Sequence, residues 1–304
     1  MDGDRPYLGI LLMLGFCVLA PLGDAIAKLL GGVLSVGALV AVRFGAQAVT
    51  LLPLAGLLRL PFPSGRRILL LIALRTVLHI LGIGLMFTAL RFLPLADALA
   101  IAFVMPFLLL LAGWLFLGEE VGPHRLGACA VGFVGTLMVI QPNFVESGWT
   151  ALLPLGVAVA FVGFMLVTRT IAKQVDPVTM QGVSGLMALA VLGPLALAFP
   201  GWDILSFDGL GGSNLALVLL MALLGTVAHL FMTWSLRFAP SATLAPMQYL
   251  EIPIATIIGW LIFKDLPNGL AALGICVTVA AGLYIILRER AIARTPRPPA
   301  PEVP

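Results

Sequence analysis

Long apolar runs, separated by short charged or Gly/Pro-rich breaks, succeed one another along the chain from residue 7 to residue 287. The first half gives runs near 7–29, 33–58, 68–90, 95–117 and 123–141, and the second half gives runs near 150–168, 177–199, 214–236, 241–263 and 269–287. Each is close to the roughly 20 apolar residues that a helix needs to cross a hydrocarbon core. Such a core offers no water to backbone amides, and a helix satisfies them internally. The pattern therefore predicts an all-α integral membrane protein with ten transmembrane helices. After the last run the chain reads RERAIARTPRPPAPEVP, and residues 289–304 are expected to form a disordered, polar, Pro-rich cytoplasmic tail.

Composition sharpens this. Of 304 residues 61% are hydrophobic and only 10% charged, and the mean hydropathy is +1.13. A soluble domain carries about 25% charged residues, so a separate water-facing domain is excluded. The net charge of +3 does not point to nucleic acid, because the basic residues lie in short loops and near the C-terminus and form no phosphate-tracking face. They act instead as orientation signals. With the N-terminus in the cytoplasm, Arg5, Arg59, Arg66, Arg67, Arg125, Arg169, Lys173, Arg237, Arg288, Arg290, Arg294 and Arg297 share the inner side. Only Lys28, Arg91 and Lys264 fall outside, which predicts both termini in the cytoplasm and residence in a bacterial-type inner (plasma) membrane. Cys17, Cys129 and Cys276 lie inside apolar runs at distant spacings, so neither a disulfide framework nor a metal cage is expected. No GxxxxGK[ST] motif is present, so the chain does not use ATP directly. No cofactor or metal is called for.

The chain also echoes itself. Leu90, Arg91, Phe92, Pro94 and Ala96 recur as Leu236, Arg237, Phe238, Pro240 and Ala242, and Gly113, Trp114 and Leu115 recur as Gly259, Trp260 and Leu261, all displaced by 146 residues. Gly127, Cys129 and Gly135 match Gly274, Cys276 and Gly282 one residue later, and TVLH at 76–79 resembles TVAH at 226–229. Five spans per copy is an odd number, so the second copy must enter the membrane from the opposite side. The expectation is two inverted five-helix repeats, 7–142 and 149–288. Inverted repeats with a site at their shared midplane are the architecture of many secondary transporters.

With the DAIAK stretch ending span one, AVRFGAQ in span two, the LRFLPLADA and LRFAPSATLAP turns, and the G-E and K-D pairs closing spans four and nine, the chain resembles the drug/metabolite transporter superfamily, specifically proteins with two tandem EamA-type domains. The resemblance runs from Tyr7 to Leu287. It implies ten helices, cytoplasmic termini and movement of a small organic solute such as riboflavin, S-adenosylmethionine or an amino acid. Members differ in cargo, so membership does not choose among them. One departure is that the second half has Ser184 near the place of Arg43.

Ionisable groups inside a span are costly and usually face a cavity, a partner or a solute. Arg43 and Gln47 share a face of span two, while Arg75 and His79 make a similar pair in span three. His229 has Thr226 and Thr233 on its own face, and the segment APMQYLEIP concentrates Gln248, Tyr249 and Glu251 between two prolines. Pro106, Pro246 and Pro253 interrupt their spans, and freed backbone near the midplane is a pointer to a binding site. The expected lining of a solute cavity is Arg43, Gln47, His79, His229, Gln248, Tyr249 and Glu251. Arg43 would hold an anionic or electron-rich group, and Glu251, His79 or His229 would carry a coupling proton if there is one. Structural roles compete: Arg43 could pair with Asp24 or Glu251, the histidines could be satisfied core residues, and Asp97 could cap a helix after Pro94. Arg75, about two turns from Arg67, is expected to snorkel to the cytoplasmic interface. Trp114, Trp149, Trp234 and Trp260 read as interfacial belt residues.

The leading expectation is thus a secondary-active or facilitative transporter, with lipid and a small organic solute, and protons if coupled, as its partners, working as a monomer or homodimer. Two other classes stand beside it. GVSG at 182–185 with His229 resembles an intramembrane serine hydrolase, and a non-transporting membrane scaffold would tolerate loss of Glu251.

Overall fold

The computed structural model describes residues 5–93, 95–140, 148–199, 204–208, 210–264 and 269–294. They form α1 (Pro6–Leu30), α2 (Val36–Leu57), α3 (Arg66–Phe92), α4 (Leu95–Ala102), α5 (Met105–Leu117) and α6 (Pro123–Ile140). After a 3-10 turn at Gly148–Ala151 come α7 (Leu152–Ile171), α8 (Pro177–Ala198), α9 (Gly212–Phe238), α10 (Ser241–Gln248), α11 (Glu251–Phe263) and α12 (Gly269–Arg294). Seven stretches among the described residues are long and apolar enough to cross a membrane, and Met105–Leu117 and Ala272–Arg288 are shorter apolar helices. Large apolar side chains such as Val49, Leu57, Phe116 and Leu197 point outward with more than two thirds of their surface exposed, the face that a lipid-solvated helix presents. The protein is a multi-pass membrane protein.

The interruptions expected at Pro106 and Pro253 are present, and two differences from the sequence expectation, at Pro246 and in the tail, stand beside them. Spans four and nine are each a pair of short helices, α4 with α5 and α10 with α11, broken at Phe103–Val104 and at Tyr249–Leu250. A proline has no N–H and its ring clashes with the carbonyl four residues earlier. For Pro106 that residue is Ala102, the last of α4, and for Pro253 it is Tyr249, just past the end of α10. Pro246, expected to add another break, is carried inside α10. The second difference concerns the tail: α12 runs on to Arg294, so residues 289–294 are helical, while 295–304 lie outside the described residues.

The 146-residue echo reappears as geometry. The bounds of α4 and α5 carry over onto α10 and α11 at that shift. So does the left-handed residue that ends the broken span, Gly118 (φ 62°) in one half and Lys264 (φ 65°) in the other. The second helix of each half opens on a capping side chain: Ser35 accepts from the Ala38 amide at 3.1 Å, and Asp176 accepts from the Val178 amide at 2.9 Å.

One end of the bundle is basic. There the Arg5 amide donates to the Phe238 carbonyl at 2.7 Å, and Arg169 donates to the Leu236 carbonyl at 2.7 Å. Glu119 caps α10 by accepting from the Ser241 and Ala242 amides at 3.1 and 2.9 Å. At the far end Ser35 donates to the Ile204 carbonyl at 2.8 Å, and Arg91 donates to the Leu34 carbonyl at 2.7 Å. The main packing pairs are α1 with α9, α3 with α7, α2 with α8 and α6 with α12, so each joins a helix before residue 141 to one after residue 147. Small residues permit this closeness. A Cβ on Gly15 would sit 2.5 Å from the Phe231 ring, and one on Gly135 would meet the Gly274 carbonyl and Thr278, so α6 and α12 approach closely at small residues.

Candidate functional site

A central cavity lies where α1, α2, α3, α7 and α9 meet the two broken spans. Its walls are Phe16, Phe87, Phe103, Phe161 and the methionines Met86, Met105, Met165 and Met232; its polar lining is Asp24, Arg43, His229, Gln248 and Glu251. Its volume is about 60 Å³, room for only a few waters, so an organic solute requires the surrounding helices to part.

Of the seven expected lining residues, four are there: Arg43, His229, Gln248 and Glu251. Arg43 Nη2 lies 3.1 Å from His229 Nδ1. That nitrogen is also 3.1 Å from the Gly225 carbonyl. A guanidinium can only donate and a carbonyl can only accept, so the histidine tautomer decides which bond is made. Asp24 faces Arg43 electrostatically, and Glu251 faces Asp24. Neither carboxylate bonds Arg43 directly among the described residues, and Asp24 is the one that interacts with it by charge. Gln248 donates its amide to the Met165 sulfur at 3.3 Å.

The other three are buried beside the cavity without lining it. His79 stacks on His229 with ring centroids 4.3 Å apart and lies against Phe44 and Phe164. Gln47 packs in the α2–α8 seam, where its side chain would meet a Cβ on Gly185. Tyr249 occupies the break of the second half and faces Phe103, its counterpart in the first, at 5.9 Å. Six of the seven share one property: Arg43, Gln47, His79, His229, Gln248 and Tyr249 each keep a buried polar atom with no protein hydrogen-bond partner. Proteins rarely leave such atoms unmatched, and Gln181 and Thr243 share the property.

Arg75 corrects the sequence reading. It does not snorkel: it is fully buried. Its Nε donates to Thr168 at 2.8 Å, Nη1 to Ser184 at 2.8 Å, and Nη2 to Gln181 at 2.6 Å and Thr233 at 3.1 Å. Its guanidinium carbon also sits 4.4 Å from the Phe164 ring centroid. Ser184, the nucleophile of the hydrolase reading, accepts from Arg75, and no base is bonded to it among the described residues. Trp114, Trp149 and Trp260 are exposed near helix ends, as belt residues are, whereas Trp234 is partly buried against Leu51, Ala55, Val178 and Leu230. The Asp97 side chain lies outside the described residues.

A helical membrane protein with a buried, partly unsatisfied polar cavity at the meeting of two echoing halves is built as a solute carrier. The chain belongs to the EamA-like transporter family, which matches residues 7–141 and again 148–288. It is 34% identical over 222 residues to a riboflavin transporter of Rhizobium johnstonii, covering 73% of this chain and 72% of that one. It is 27% identical to a riboflavin transporter of Brucella anthropi, over 73% of this chain and 78% of that one. It is 25% identical to an S-adenosylmethionine uptake transporter of Rickettsia felis, over 95% and 96% of the two chains. A solved crystal structure with 18% identity superposes at a TM-score of 0.71 over 94% of this chain and 98% of that one, which shows a shared fold. The protein is a small-metabolite transporter of the drug/metabolite superfamily and not an enzyme.

Proposed function

We propose that the protein carries a flat heteroaromatic metabolite of the flavin type across a bacterial inner membrane by alternating access. The observation that carries this is the cavity lining: Phe and Met walls suited to the faces of a ring system, with unmatched polar atoms on Arg43, His229 and Gln248 able to bond ring carbonyls and nitrogens. The Rhizobium and Brucella relatives named as riboflavin transporters support it. Glu251, with no cationic partner of its own among the described residues, is the group we assign to a coupling proton.

Alternating access follows from two inverted repeats, 7–142 and 149–288, rocking on each other. Several observations support that relation. The first helix of one half starts at the basic end and the first helix of the other finishes there. Echoed residues touch across the middle, His79 on His229 and Phe103 on Tyr249. The basic end, on the positive-inside rule, faces the cytoplasm and holds both termini.

A second reading has its own observation: the cavity holds two carboxylates, Asp24 and Glu251, against the single guanidinium of Arg43, a balance that suits a cationic solute such as S-adenosylmethionine. A thermal-shift titration of detergent-solubilised protein with riboflavin, S-adenosylmethionine and a set of amino acids separates the two, since a ligand of the folded protein raises its melting temperature by mass action. Riboflavin is expected to stabilise and then to enter proteoliposomes. A shift with S-adenosylmethionine alone overturns the flavin reading.

A further inference from the structure

The side of the cavity nearer the basic end is closed by a device built around Arg75. Arg75 belongs to the first half, whereas Thr168, Gln181, Ser184 and Thr233, which take all four of its side-chain hydrogen bonds, belong to the second. Two small apolar clusters cross the same boundary at this end. In one, Ile72 meets Ile171, Val175 and Met180. In the other, Leu51 and Ala55 meet Val178 and Leu230. Both are separate from the large central core, so polar latch and apolar plugs sit together on one side of the cavity.

The cavity side offers the comparison. Counted from the capping residues Ser35 and Asp176, Arg43 and Ser184 hold the same place in their helices, and the echo of TVLH with TVAH sets Arg75 opposite Gly225. The Arg43 guanidinium lies against Gly225, where a Cβ would stand 2.7 Å from its carbon. Equivalent seams between the halves therefore each hold one arginine, both supplied by the first half. Arg75 has donors bonded at all three nitrogens, while Nε and Nη1 of Arg43 have no protein partner. One seam is fastened and the other is not.

We propose that Arg75 is the gating residue for the basic side of the transport pathway, a latch between the halves that must release before solute passes that end. This rests on the transport reading above. Arg75 touches no solute in this scheme: it is a positioning residue acting through the contact between halves.

The test uses the full chain with its three cysteines replaced and one reporter cysteine added. The reporter is either Met180→Cys, in the plug beneath the latch, or Ile204→Cys, at the far end where the second half packs against Gly37 of the first. Each is combined with Ser184→Ala and Thr233→Val, which remove two acceptors while leaving Arg75 in place, and the rate of labelling by a hydrophilic maleimide is read in detergent. Loss of buried hydrogen bonds from one side of a two-state equilibrium is expected to raise Met180→Cys labelling at least about fivefold and, as the far end closes, to lower Ile204→Cys labelling. A rise at both reporters is local loosening and overturns the proposal, as does no change at Met180→Cys. Labelling needs no solute. Normal flux without the exchange of labelling therefore removes the gate alone, whereas absence of flux with every solute of the panel removes the transport reading.

Discussion

Arg43 and Arg75 lie on neighbouring helices of the same half, both almost without exposed surface, yet their surroundings differ. Around Arg75 the fold supplies four acceptors and an aromatic ring. Around Arg43 it supplies one ring nitrogen that the Gly225 carbonyl contests, a carboxylate that interacts by charge, the Phe87 ring at 5.9 Å, and an edge of cavity. A cation in hydrocarbon is costly unless paired or hydrogen-bonded. The contrast teaches that the same residue type can be spent on holding helices together or kept available for a ligand, and that counting its satisfied donors tells which.

The widest separation between the two arginines is expected in flux. Arg43→Ala should lower solute uptake into proteoliposomes by about a hundredfold, the cost of losing a charge-assisted contact in a desolvated site, with the melting temperature nearly unchanged. Arg43→Lys should not rescue it, because an ammonium cannot reproduce the planar fork. Unimpaired uptake by both variants would remove Arg43 from the site.

Next comes stability. Arg75→Leu leaves Thr168, Gln181, Ser184 and Thr233 without their shared donor and should lower the melting temperature by about 5 °C or more, corresponding to roughly 2–3 kcal/mol. An equal drop for Arg43→Ala would erase the distinction between latch and site. A smaller effect sharpens the comparison from the other helix. Gly225→Val places a branched side chain where the Arg43 guanidinium lies and should reduce uptake about tenfold, by displacing the ligand-facing group rather than removing it. The smallest is Tyr249→Phe, whose hydroxyl has no partner and does not line the cavity. Uptake should change less than about twofold, and a large loss would return Tyr249 to the cavity.

Much of this was legible in the sequence because it depends on local chemistry. Apolar run length located the spans, and Pro106 and Pro253 located the broken ones, since a proline disturbs the turn before it wherever it stands. Arg43, His229, Gln248 and Glu251 were found because a polar group in an apolar run is conspicuous. Arg75 was equally conspicuous and was still misjudged. Its distance from Arg67 along one helix says how far it would have to reach, but not which face of α3 meets α7, α8 and α9. Its acceptors are ordinary hydroxyl and amide residues that reveal nothing until the helices are assembled. Gln47, His79 and Tyr249 show the converse. Helical spacing put them on plausible faces, and only packing decided that those faces meet other helices beside the cavity.

The cross-half packing also bears on how the chain is made. The acceptors of Arg75 lie 93, 106, 109 and 158 residues further along, and the His229 that faces Arg43 lies 186 residues further along. A ribosome therefore delivers α1 to α6 to the bilayer carrying the Arg75 guanidinium with none of its acceptors yet synthesised, and the Arg43 guanidinium with Asp24 already made but not His229. Until they arrive, the half-made protein depends on water, lipid headgroups or insertion machinery to shelter that charge. The interval between threading the third helix and threading the ninth is thus when the newborn molecule carries a buried charge whose acceptors are still to come.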